Sequence, residues 1–408
     1  MPCSPAKARR LLRDGQAKVV LGIPFTIKML YGCGGITQKV VAGMDTGSKV
    51  IGTAVITNGQ IVYQAETHLR GENIKKKMEQ RRMYRKNRRG RKTRYRKPRF
   101  LNRKANTKLD RLAPSVKHKI ESHIREKRFV ESILPISKWI LETASFDIHK
   151  ITNPTVSKKH GWTYQKGQQL GFYNAKQYVL ARDNYTCQNC KKHKTGLKLH
   201  VHHIIFKSNG GTNSPNNLVT LCSSCHRKIH SLKEGQAEKA SKNLQKKALK
   251  PTKHATEISI LRSQLTKHFG NFEETFGYIT KFNREALGFS KTHYTDAMII
   301  ASQDKIAKTK TDYLVRKLVT KGDYQQTKGV RSEKRIPTGK VFGLRKFDFI
   351  KTSKCLGFVK GKRSSGHFAI SDIFGKIITN SVNIRKYCKK ILARKLILIQ
   401  NMETPHVQ

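Results

Sequence analysis

Cys187 and Cys190, then Cys222 and Cys225, make two Cys-x-x-Cys pairs separated by residues 191–221. Each pair offers two thiolates to one tetrahedral ion, so the four together close a structural zinc site. Around them stand His202-His203, Asn217, and His226 with His230. Two histidines at i and i+4 of a helix share a side, as a divalent ion requires. Neighbouring histidines on a strand face opposite ways, so one can reach an ion while the other meets a water as general base. An asparagine can orient that base through a hydrogen bond. A polarised phosphate and an activated water are what phosphodiester hydrolysis needs. The plainer alternative, an extra zinc finger without chemistry, leaves these further histidines without a role.

A second set of candidates is scattered. Asp45 ends the apolar run Val40-Val41-Ala42-Gly43-Met44, Glu142 lies inside the run Trp139–Asp147, and His293 and Asp296 stand one helical turn apart. A charge in an apolar run is expensive unless it meets a metal or a donor. Two-metal hydrolysis draws about three carboxylates from distant positions. Each residue taken alone is a weak signal, more often a cap, a turn former or a salt-bridge partner than a ligand, and Glu131 and Asp147 compete with Glu142.

These groups need scaffolds. At roughly 150 residues per domain, 408 residues make two to three domains. Lysine and arginine number 84 against 26 acids, a net charge of +58. That is about ten times what suits a small soluble domain, and an abundant polyanion such as nucleic acid relieves it. A protein for small neutral metabolites is thereby excluded. So is a membrane-spanning one, because no run of about 20 apolar residues exists and mean hydropathy is −0.60. The cysteines do not form a secreted framework and the N-terminus has no signal-peptide core, so a reducing cytoplasm is expected. Ser4 and Pro5 predict a helix start, with short strands at 19–21 and 25–27. Residues 39–67 read as paired strands joined at Asn58-Gly59. Residues 75–104 hold 17 basic residues in 30, including Arg81, Arg82, Arg85, Arg88, Arg89, Arg91 and Arg94, with Tyr84, Tyr95 and Phe100 interleaved. A helix capped by Ser115 is expected over 115–134, helical periodicity over 256–308, and strands from 339 onward.

The Cys/His constellation resembles an HNH (ββα-metal) nuclease with zinc knuckles. The resemblance implies that His202, His226 and His230 hold a catalytic divalent ion, that His203 is the base, and that Asn217 orients it. Gly43–Ser48 with Ile51–Val55, Glu142 in its run, and His293-x-x-Asp296-Ala297 look like the three motifs of a RuvC-type, ribonuclease H-like nuclease. Asp45, Glu142 and Asp296 would then bind two Mg²⁺, with His293 activating water. A RuvC-like domain split first by an arginine-rich helix and then by an HNH module resembles the IscB nucleases, relatives of the CRISPR effectors. The implied fold is a multidomain α/β protein. It has a small N-terminal domain (1–36, which looks clipped), RuvC-like parts at 37–70, 111–165 and 241–315, a bridge helix (71–110), an HNH domain (166–240), and a β-rich C-terminal domain (316–408). The implied partners are a guide RNA of the omega type and double-stranded target DNA, in a ribonucleoprotein with one protein copy. The HNH site would cut the guide-paired strand and the RuvC-like site the displaced one. The C-terminal strands, with Lys340, Arg345, Lys346, Lys351, Lys360, Lys362 and Arg363, would contact a target-adjacent motif or hold RNA. Two rival readings stay open: an endonuclease that needs no RNA, and a nucleic-acid-binding protein that has lost catalysis.

Overall fold

A computed structural model describes residues 2–32, 38–90, 112–144, 171–193, 196–207, 213–232, 253–302, 312–319 and 339–403, with isolated positions between them. In chain order the elements are α1 (Pro5–Arg13), β1 (Ala17–Gly22), β2 (Phe25–Met29), β3 (Val40–Asp45), β4 (Val50–Thr57), β5 (Gln60–His68), α2 (Gly71–Gly90), α3 (Pro114–Ile133) and β6 (Lys138–Thr143). Then come α4 (Ala175–Arg182), β7 (Leu199–His203), β8 (Leu218–Cys222), α5 (Ser223–Ser231), α6 (Lys253–His268), β9 (Glu273–Phe276), α7 (Gly277–Ala286), α8 (His293–Ser302) and β10 (Asp312–Leu318). The chain finishes with β11 (Phe349–Thr352), β12 (Leu356–Gly361), β13 (His367–Ser371), β14 (Ile377–Asn383), β15 (Cys388–Leu392) and β16 (Ile397–Glu403). It divides into two compact units, Met1–Ala144 with Ile260–Gln408, and Ser145–Ser259.

The first unit is organised by a seven-stranded sheet in the order β16-β10-β5-β4-β3-β6-β9. β3, β4 and β5 form an antiparallel meander. Its second turn is possible because Asn58 (φ 49°) and Gly59 (φ 72°) both take the left-handed conformation that a two-residue hairpin demands. β6 runs parallel to β3, β9 parallel to β6, and β10 parallel to β5. Parallel strands are covered on both faces and so read as continuous apolar runs, as Val40–Met44 does. On one face Val40, Ala42, Met44, Ile51, Val55, Tyr63, Trp139 and Leu141 meet Ile120 and Val130 of α3 and Leu261 and Leu265 of α6. On the other, Ala54, Ile56 and Ile61 meet Ala297, Met298 and Ala301 of α8. One charged knot sits inside: Arg316 of β10 bonds Glu126 of α3, which also accepts from Tyr63 (3.0 Å) and Thr67 (2.9 Å).

A second sheet, β14-β13-β12-β11-β15, closes over Ile350, Val359, Phe368, Ile370 and Val382. Several sequence expectations are corrected. Ser115 does not cap α3: Ala113 stands at the cap and Pro114 fills the first helical position, where its fixed φ and missing N–H are harmless. Residues 341–344 are a tight loop rather than a strand, with Phe342 (φ 50°) and Gly343 (φ 75°) left-handed and Val341 bridged to Leu344. The polar stretch Glu273–Phe276 is a strand, not helix, because β6 offers it a free edge. The boundary at 316 falls inside β10, and β16 returns from the C-terminal strands to the large sheet. Asp147, Arg91 and Arg94 lie outside the described residues. Among the described residues no helix is long and apolar enough to cross a membrane.

Candidate metal and catalytic sites

In the second unit, Arg182 at the end of α4 is the brace. It grips Asp183 through Nε (2.8 Å) and donates to the carbonyls of Pro215 and Leu218, both at 2.9 Å. Asp183 in turn accepts the backbone N–H of Thr220 at 2.8 Å. This ties α4 to β8, whose last residue is Cys222. Cys225 follows in the first turn of α5, while Cys187 and Cys190 come from the loop after α4. The four sulfurs all lie within 4.8 Å of one another, with Cys190 and Cys222 3.7 Å apart. Four thiols this close form a set that can hold zinc.

β7 and β8 are an antiparallel pair that presents His202 to α5. His226 and His230, one turn apart on α5, complete a cluster whose ring nitrogens also lie within 4.8 Å of one another. Phe206 lines it, its ring stacked on His230 at 5.5 Å. His202 is buried and its Nε2 has no hydrogen-bond partner. Burial, reinforced by the neighbouring His230 and His226, holds its pKa down to about 4, so the ring is neutral with a lone pair to offer. A buried, orphaned ring nitrogen facing two more imidazoles fits a divalent cation. Such an ion would polarise a phosphate oxygen.

His203 does not join that cluster. Its Nε2 meets Asn213 Oδ1 at 2.9 Å. An amide oxygen only accepts, so in this contact Nε2 carries the proton and Nδ1 keeps the lone pair. The asparagine that bonds His203 is thus Asn213, and the side-chain amide of Asn217 is bonded to Ile205 instead. Asn217 works one step away. Its Oδ1 accepts from the N–H of Ile205 (2.9 Å) and its Nδ2 donates to the carbonyl of the same residue (3.1 Å), fixing the backbone just after His203. Asn213 lies in a polar loop with no periodicity, so only the pairing of loop and strand reveals it.

In the first unit, strand register gathers the carboxylates. Asp45 of β3 pairs with Glu142 of β6 on one side and Gly52 of β4 on the other, and Gly52 pairs with Glu66 of β5. Paired residues share a sheet face, so three acids and one glycine form a row. α8 lies over it. A Cβ on Gly52 would stand 1.9 Å from the carbonyl oxygen of His293, and one on Gly43 2.3 Å from that of Ala297. Those two glycines let the helix come close enough for His293 Nδ1 to reach Asp45 Oδ2 at 2.5 Å. Glu66 accepts the backbone N–H of His293 at 3.1 Å and so anchors the start of α8. α7 packs against the remaining acids: Arg284 binds Asp296 at 2.6 Å, and the buried Thr280 lies beside Glu142. Burial raises the pKa values of Glu142, Asp296 and Glu66, and the hydrogen bond to Asp45 raises that of His293.

Crowded, partly desolvated carboxylates are donors of the kind a hard cation takes. Asp45, Glu142 and Asp296 are nonetheless not drawn into a group with all ligand atoms within 4.8 Å, as the cysteines and histidines are. The reason is visible: Asp45 is turned to His293 and Asp296 to Arg284. Glu131 is excluded as an alternative to Glu142, because it holds the Trp139 indole (3.1 Å) and Lys127 (3.3 Å) instead. Glu66 and Arg284 escape the sequence reading. Glu66 could be found by counting register back from the Asn58-Gly59 turn; nothing local marks Arg284. On α2, Arg81, Arg82, Arg85 and Arg88 are all exposed.

Residues 1–167 match the family described as RRXRR protein, and residues 187–232 match the HNH endonuclease family. Residues 187–232 are an HNH endonuclease domain. They contain both Cys-x-x-Cys pairs, all three clustered histidines, His203, Asn213 and Asn217. The Type IV methyl-directed restriction enzyme EcoKMcrA of Escherichia coli (strain K12) is similar: 36% identity over 61 residues, 14% of this chain and 22% of that enzyme. The chain thus spans about a fifth of that relative's length.

Proposed function

We propose that this protein is an RNA-guided DNA endonuclease of the IscB type. A bound guide RNA pairs with target DNA, the HNH site cuts the guide-paired strand, and a RuvC-like site around Asp45 cuts the displaced strand. The observation that carries the nuclease reading is the three-histidine cluster beside a His203 whose proton position is set by Asn213, inside the HNH match. His203 Nδ1 takes the proton of the attacking water. In the carboxylate row, Asp45 accepts from His293 Nδ1 and leaves Nε2 free for the same task. The HNH site takes one Mg²⁺, the carboxylate row takes two, and the cysteines take structural Zn²⁺. The RuvC-like reading is supported by the mixed sheet, by the in-register Asp45–Glu142 pair, and by α8 lying across both. RNA guidance is supported by the RRXRR match, a family found in IscB- and TnpB-like nucleases, and by the charge of +58. It is also supported by α2, whose like-charged exposed face repels itself until phosphates neutralise it. The arginine-rich helix and the basic C-terminal strands hold the RNA, and the protein acts as a monomer within the ribonucleoprotein.

The test is cleavage of a duplex labelled on each strand, with Mg²⁺ and the RNA that co-purifies. Asp45→Ala loses the displaced-strand cut alone, His203→Ala the paired-strand cut alone, and ribonuclease pretreatment abolishes both. If either single change removes both cuts from a folded protein, the two-site assignment is wrong. The similarity to a restriction enzyme favours a second reading, in which DNA is read without RNA. Cleavage that survives ribonuclease would establish it.

A further inference from the structure

α7 has two faces with different business. Thr280 and Arg284, four residues apart and both buried, face inward, where Thr280 lies beside Glu142 and Arg284 holds Asp296. Tyr278 and Phe282, also four apart, face outward and are 73% and 72% exposed. Ile279 and Phe276 add to the same surface, and the Phe276 and Tyr278 rings are parallel to within 6°, with centroids 6.1 Å apart. Four large apolar side chains in the open, around a helix of 10 residues, are poor use of water-facing surface unless something covers them. The row does not fade into a core elsewhere: Tyr278 and Phe282 belong to no buried cluster among the described residues. The acids nearby are already occupied, Glu285 by Lys281, Glu273 by Lys138 and Glu274 by Arg262. Lys291 is exposed at the other end of the loop that links α7 to α8, where its charge is felt by Glu142 and Asp296. At the N-terminal end of α7, a Cβ on Gly277 would stand 3.0 Å from Glu142 Oε1. The aromatic surface and the carboxylate row therefore meet at one point.

We propose that the outer face of α7 is a stacking platform for single-stranded DNA, delivering the strand that the carboxylate row cuts. This rests on the RuvC-like reading above. Side chains at i and i+4 are spaced about 6 Å along a helix axis, which suits an extended single strand whose unpaired bases lie on successive rings. Aromatic stacking tolerates any base and leaves sequence choice to pairing elsewhere. The phosphates meet Lys291 and the strongly positive field of the chain. A duplex presents no base faces to such rings, so the platform engages DNA only after the strands have parted.

The experiment uses the full chain in Ca²⁺-containing buffer and a single-stranded DNA carrying 2-aminopurine, whose fluorescence falls when the base stacks. Wild type quenches it. Tyr278→Ala with Phe282→Ala abolishes the quench and weakens binding by roughly thirtyfold or more, while affinity for the corresponding duplex is unchanged. Tyr278→Phe with Phe282→Tyr retains the quench, and Tyr278→Leu with Phe282→Leu does not restore it. Circular dichroism of each variant, compared with wild type, confirms the fold. Unchanged quenching and affinity in the alanine pair overturn the proposal. So does full recovery by leucine, which would mark an apolar protein-docking surface, or a larger loss for RNA of the same sequence than for DNA. Because binding is read without cleavage, the outcome is separable from the two-site assignment: Asp45→Ala can retain both cuts while stacking persists, or lose one while stacking was never there.

Discussion

Replacing Gly52 by alanine puts one methyl group where α8 crosses the sheet. The new Cβ would lie 1.9 Å from the His293 carbonyl oxygen, and ordinary contact begins near 3.4 Å, so backbone must move by about 1.5 Å. β4 cannot supply the movement, since it is paired on both sides within the sheet. The start of α8 must lift, taking His293 away from Asp45 and from the Glu66 anchor. A misplacement of about 1 Å in a catalytic group costs on the order of 100-fold in rate. Strand-specific cleavage on a doubly labelled duplex should therefore show displaced-strand cutting reduced about a hundredfold and paired-strand cutting by the HNH site intact. Gly339→Ala, where a Cβ meets nothing within 4 Å, is the matched control. Full displaced-strand cutting by the Gly52→Ala protein would mean that the approach of α8 does not assemble a working site, and the geometric argument would fall.

Three further outcomes are expected. Asn213→Ala frees the His203 tautomer and lowers paired-strand cutting by roughly 10- to 100-fold, whereas Asn217→Ala acts on stability by loosening the Ile205 backbone; comparing rates with melting temperatures separates the two. Arg316→Ala leaves Glu126 buried without its cation and destabilises the first unit by about 3–5 kcal/mol, measured by denaturant titration, while joint replacement by Arg316→Met and Glu126→Gln restores most of it. His123 is buried in α3 and burial holds its pKa to about 4, below the ordinary 6.5. Its stabilising neutral form is thus fully present above pH 6.5, and its contribution is lost as pH falls toward 4. The shift corresponds to about 3 kcal/mol, and His123→Leu should remove that much of the difference between unfolding at pH 7 and at pH 4. An unchanged difference would refute it.

The ligand types of both sites were readable because their signals are local: Cys-x-x-Cys pairs, histidines at helical spacing, an acid closing an apolar strand. The Asn58-Gly59 turn and the Ser4-Pro5 helix start were legible for the same reason, a backbone conformation that few residues adopt. What escaped was set by distance. β9 is a strand only because β6 lies beside it, Arg284 matters only because α7 folds back over Asp296, and the partner of His203 is set by where a loop meets a strand. Ser115 lost the cap to Ala113 because Pro114 imposes its own φ, a preference stronger than a side-chain hydrogen bond. The identity of the acid nearest His293, Glu66 as well as Asp45, follows from counting register through a bulge, which a pattern of apolar residues does not disclose.

β6 and β9 are neighbours in one sheet, and the chain between them carries the whole HNH unit before α6 brings it back. Every strand of the seven, and every residue of the core beneath them, comes from outside positions 145–259. The cysteine–histidine module is thus a passenger in an ordinary strand–helix–strand crossover. Closing a loop becomes only logarithmically harder as it lengthens, so the crossover tolerates a cargo of this size, and exchanging or trimming that cargo should leave Asp45 and its row standing.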